Sequence, residues 1–121
     1  STQPGLVEAL IARAERELAE ARPRFDSTLR WLAGAPLLRP IRGEADAPPM
    51  AALTWAYRGE MEELILKEGE ARRLREAILE LGGSPGGRRL EAFSAAAFTE
   101  PAGDAATSAL VRLLGSGLVA T

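Results

Sequence analysis

The segment from Lys67 to Pro85 constrains the fold of this chain most. Ala71, Leu74, Ile78 and Leu81 recur at spacings of three and four, which places them on one face of a helix. Gly82 then suits a left-handed residue closing a Schellman-type stop, and Pro85 prevents the helix from resuming. Traced backwards, the stripe continues through Leu64, Met61, Tyr57 and Leu53 to a start near Pro48 or Pro49. The pattern predicts a long helix over about 49–81, roughly 48 Å in length at 1.5 Å per residue. Gly59 and Gly69 weaken it, each by about 1 kcal/mol relative to alanine.

A second stripe precedes it. Val7, Leu10, Ile11, Ala14, Leu18, Ala21, Phe25, Leu29 and Leu32 share the same spacing, with Pro4 placed for a first turn. They predict a helix over about 5–33, kinked or split at Pro23. Between the two lies a linker, about 34–48, punctuated by Gly34, Pro36, Pro40 and Gly43. Its Leu37, Leu38 and Ile41 are expected to fold back over one end of the bundle. Ser84 to Gly87 reads as a turn. Short helices follow at about 88–98, with Leu90, Phe93 and Ala97 inward, and at about 104–115, with Asp104 as N-cap. The expectation is a single helical domain, 1–121, of all-α class.

Composition agrees with that expectation and removes several chemistries. The chain has 121 residues, enough for one core, and only 5% are aromatic. Sparse β-branched residues argue against a large sheet. There is no cysteine and no histidine, so disulfides, thiol nucleophiles, zinc fingers and His-dependent triads are excluded. Any metal site would use oxygen ligands. A net charge of −2 offers no field for nucleic acid. No apolar run reaches the roughly 20 residues needed to span a bilayer. Ser1-Thr2-Gln3-Pro4 does not open a signal peptide, and a cytoplasmic location is expected.

Ala71, Leu74, Ile78, Leu81, Gly82, Gly83 and Pro85 match the frame of a known pattern. In that frame the chain resembles the second helix of ferritin-like, rubrerythrin-type bundles. The resemblance spans about residues 5–85. It implies an antiparallel bundle of two long helices with shorter C-terminal ones. It also implies a metal site built from a first-helix glutamate and a second-helix Glu-x-x-His. Here the second-helix pair falls on Lys67 and Glu70, and the first-helix glutamate on Glu17, with Glu15 the alternative. A protonated lysine repels a cation, so the resemblance is to a degenerate member without its metal ligands.

Glu60, Glu63, Lys67 and Glu70 would run along one helical face. The charge cluster Glu63, Lys67, Glu70 has two readings. The Lys67 ammonium replaces a metal between inward carboxylates, or the face is solvated and its ion pairs are weak. Of these, the solvated face is the commoner arrangement on a long helix. The turn Ser84–Gly87 before Arg88 and Arg89 lacks the lysine and the preceding strand of a phosphate loop. Arg72, Arg73, Arg75, Arg88 and Arg89 are interleaved with acids, which argues for a mixed surface. Trp31, Trp55 and Tyr57 read as core or interface anchors.

These features favour a non-catalytic protein without a cofactor that acts through assembly. It would be a homodimer, or an accessory subunit whose apolar helical groove is covered by a partner. The alternatives are a ferroxidase-like protein with a carboxylate-only metal site, drawing on Glu17, Glu63 and Glu70 and completed on oligomerisation, and a small helical regulatory binding protein.

Overall fold

A computed structural model describes residues 9–11 and 27–121. Residues 9–11 are helical, and Leu10 and Ile11 are exposed there. The remainder of the expected first helix up to residue 26, with Pro23, Glu15 and Glu17, lies outside the described residues.

From residue 27 onward the fold is α+β, which overturns the all-α, ferritin-like expectation. The strands are β1 (Thr28–Trp31), β2 (Leu37–Ile41), β3 (Met50–Tyr57), β4 (Glu60–Lys67), β5 (Arg88–Arg89) and β6 (Leu118–Ala120). The helices are α1 (Glu68–Gly82), α2 (Leu90–Ala97) and α3 (Asp104–Leu114). Two three-stranded antiparallel sheets result. A hairpin sheet has the order β2-β3-β4, and a small sheet has the order β5-β1-β6.

The long helix expected over 49–81 is a hairpin followed by a shorter helix. Arg58 and Gly59 have φ of 51° and 80°, the positive values of a two-residue type I′ turn. Tyr57 pairs with Glu60 across it, and the register continues to Met50 opposite Lys67. Ala51, Leu53 and Trp55 are buried on one face of β3, while Leu64 and Leu66 of β4 pack beside them. That is a period of two. The turn reverses the chain, so apolar positions on two strands mimic a helical stripe when read linearly. The expected linker likewise contains β2, and the end of the expected first helix is β1.

The α1 helix begins only at Glu68 and buries Ala71, Leu74, Ala77, Ile78 and Leu81. Its stop differs from the Schellman expectation. Gly82 is the last helical residue and has no positive φ, while Gly83 at φ −88° donates its N–H to the Leu79 carbonyl at 3.1 Å. At α3 the N-cap is Gly103 rather than Asp104, which is the first helical residue and makes no capping bond through its side chain.

The core joins both sheets to the helices. Trp55 is buried and donates its indole N–H to the Ser116 carbonyl at 2.7 Å. Trp31 of β1 packs edge-on against it, with ring centroids 5.7 Å apart. These two tryptophans tie the hairpin sheet to the turn between α3 and β6. Among the described residues, no helix is long and apolar enough to cross a membrane.

Candidate functional site

The residues singled out by charge lie on two different elements. A helix would put Glu63 and Lys67 one turn apart. On β4 they share the outer face and stand about 13 Å apart along the strand at 3.3 Å per residue. Glu63 instead reaches Arg39 of β2, 3.5 Å away. Glu70 sits in the first turn of α1 and accepts a hydrogen bond from the Thr99 hydroxyl at 2.7 Å. Glu63 and Glu70 therefore have separate partners. Among the described residues, no three acidic side chains converge on one point. Glu17 lies outside those residues.

Lys67 and Glu70 do meet at a cleft of about 280 Å³ where β4 passes into α1. Leu66, Phe98, Ala106 and Ala109 supply its apolar wall, and Thr99 and Glu100 its far rim. The α3 side is lined by alanines, and their small side chains leave the space open. Thr99 was not legible as a member of this group, because it lies 29 residues from Glu70 in sequence.

Arg72, Arg73, Arg75 and Arg88 have structural partners. Arg73 donates to the Ala95 and Ala96 carbonyls, both at 3.0 Å, and so closes the last turn of α2. Arg75 donates to the Pro36 carbonyl at 3.0 Å. Arg72 pairs with Glu68 at 2.7 Å and Arg88 with Glu80 at 3.2 Å. Among the described residues, acids are interleaved with these arginines, as Glu68 with Arg72 and Glu80 with Arg88.

The larger unsatisfied feature is the outer face of the hairpin sheet. Leu37, Met61 and Ile65 are 62%, 68% and 52% exposed. Register places Ile65 beside Ala52 and Arg39, and Met61 beside Ala56. The apolar surface is thus on a sheet, not in the helical groove expected from sequence. The alternation of Met61, Glu63, Ile65 and Lys67 was its signal, once Arg58-Gly59 is read as a turn.

The edges of this sheet differ. Glu68 donates its backbone N–H to the Pro49 carbonyl at 2.9 Å, so even-numbered residues of β4 face β3. The N–H and C=O groups of Met61, Glu63, Ile65 and Lys67 therefore point away from the sheet. Among the described residues, no backbone group pairs with them. The chain matches no family model, no curated protein and no solved structure.

Proposed function

We propose that this chain is a non-catalytic module that acts by self-assembly through its hairpin sheet. The observation carrying the proposal is the conjunction, on one strand, of exposed Met61 and Ile65 with an open backbone edge. An eight-residue edge strand of this kind is a ready template for another strand. Native sheets blunt such an edge with a proline, a bulge, charged side chains or a covering element, and of the first three β4 carries only charges, Glu63 and Lys67 of opposite sign on its outer face. The β4 strand has no proline, and its pairing with β3 runs unbroken over the full register. Arg39 and Glu63 lie on the same face, so it presents both signs of charge and does not repel a copy of itself.

Sedimentation velocity over a wide range of concentration tests this proposal. A reversible dimer is expected, dissociating on dilution. The Ile65→Lys variant should remain monomeric. Its unfolding free energy should stay within about 0.5 kcal/mol of the wild-type monomer, because the site is on the surface. A wild-type chain that stays monomeric at every concentration would sink the proposal.

A further inference from the structure

We infer that a second copy of this chain pairs antiparallel along β4, with Ile65 opposite Ile65, to form one continuous six-stranded sheet. This rests on the assembly proposed above and names its seam, symmetry and register.

The choice of edge follows from backbone direction. Gly34 donates its N–H to the Ala56 carbonyl at 2.9 Å, so even-numbered residues of β3 face β2. Their partners there are Leu37, Arg39 and Ile41, which leaves Leu38 and Pro40 directed outward. Pro40 has no N–H to offer where a free edge needs one. One edge of the sheet is blocked, and the other, β4, has no backbone partner among the described residues.

The register follows from symmetry. A two-fold axis perpendicular to the sheet keeps each side chain on its own face, so outward residues pair with outward residues. Four alignments pair five or more residues of β4, centred on Glu62, Glu63, Leu64 or Ile65. Centring on Glu62 or Glu63 opposes two carboxylates. Centring on Leu64 places Met61 against Lys67 and Glu63 against Ile65, setting charge against apolar surface. Centring on Ile65 pairs Glu63 with Lys67 twice, Ile65 with itself, and Leu64 with Leu66 on the inner face. Only this last alignment sets opposite charges together and apolar against apolar throughout the paired stretch, Glu63 to Lys67, and cross-strand pairs of these kinds are the favourable ones.

The acids flanking the seam are already neutralised within each copy. Glu62 is held by Arg112 of α3 at 2.8 Å, and Glu68 by Arg72 at 2.7 Å. A sheet of six strands is within the common size range. It would set the exposed Ile65 of two copies side by side, with a Glu63–Lys67 pair on either flank.

Cysteine substitution tests the register, because the chain has no cysteine of its own. In a hydrogen-bonded antiparallel pair the Cα atoms lie about 5.5 Å apart, within disulfide reach. Ile65→Cys should therefore form a covalent dimer on mild oxidation, much faster than Glu63→Cys or Leu64→Cys. Charge reversal supplies the second arm. Glu63→Lys and Lys67→Glu should each weaken dimerisation by roughly tenfold, and the double variant should restore it. Preferential cross-linking at 63 or 64, or a dimer that forms no cross-link at any of the three positions, overturns the seam and leaves assembly standing. So does a double variant no tighter than the single ones. A monomeric wild type removes both.

Discussion

The two sheets are built by opposite means. The hairpin sheet comes from one continuous stretch, residues 37–67, and its strands meet through short connections. The small sheet collects Thr28–Trp31, Arg88–Arg89 and Leu118–Ala120 from distant parts of the chain. It buries Leu29 and Leu118 completely or nearly so, whereas the hairpin sheet leaves Leu37, Met61 and Ile65 of its outer face exposed. The small sheet also depends on glycine in a way the hairpin strands do not. The distant segments approach so closely at their crossings that side chains are excluded. The small sheet holds the architecture together, and the hairpin sheet presents a surface. Mutations should therefore divide between loss of folding in the first and loss of association in the second.

The most severe break of that contrast is at Gly87. Its φ is +76°, and an added Cβ would stand 2.3 Å from the Leu29 carbonyl oxygen, a backbone atom that cannot swing aside. Gly87→Ala should cost about 3 kcal/mol or more, combining left-handed strain with overpacking. Chemical denaturation should show the loss. A variant within 1 kcal/mol of wild type would mean, on the scale of typical single substitutions, that β5 and β1 are not so closely joined.

A smaller effect is expected where the two sheets communicate. Trp55→Phe removes the indole N–H that satisfies the buried Ser116 carbonyl and also loses ring volume. The expected cost is about 2 kcal/mol, combining an orphaned acceptor with a small cavity. The informative readout is a pair of measurements, unfolding free energy and dimer dissociation constant. Stability should fall while association of the folded protein stays unchanged. A parallel loss of association would show that the hairpin sheet depends on the small one for its shape.

The same contrast explains what could be read from sequence. The α1 stripe at Ala71, Leu74, Ile78 and Leu81 was legible because its contacts recur within one helix. Helices at Leu90–Ala97 and Asp104–Leu114 lie where Phe93 and Leu113 mark inward faces. The hairpin reads as a helix because Leu53, Tyr57, Met61 and Leu64 satisfy a helical spacing across a turn. Trp55, Tyr57 and Ile65, with Arg58-Gly59 between the strands, were the available counter-signal. The small sheet could not be read at all. Its strands are two to four residues long, and their partners lie dozens of residues away, as Leu29 does from Ala120. The ferritin-like frame failed for a related reason. Leu81-Gly82-Gly83 marks the end of many helices and carries no information about what precedes the helix. Of the candidate site, Lys67 and Glu70 were identified but their setting was not, because Thr99 and Phe98 join them only through the fold.

Gly82 offers the finest test of the comparison, because it is a glycine the structure does not require. It closes α1 as its last helical residue without a positive φ, and a Cβ there would meet only the Trp31 ring, at 4.0 Å, an ordinary van der Waals distance. Alanine also restricts the unfolded chain, which favours the native state wherever the backbone tolerates it. The full preference for alanine over glycine in a helix interior is about 1 kcal/mol, and less is realised in a fraying last turn. Gly82→Ala should therefore raise stability by about 0.5 kcal/mol, seen as a small increase in thermal midpoint with dimerisation unchanged. Destabilisation by about 1 kcal/mol would instead indicate a left-handed Gly82 and a helix that ends one residue earlier. The sign of this one substitution thus separates a helix that runs through Leu81 into Gly82 from one stopped at Leu81 by a required glycine.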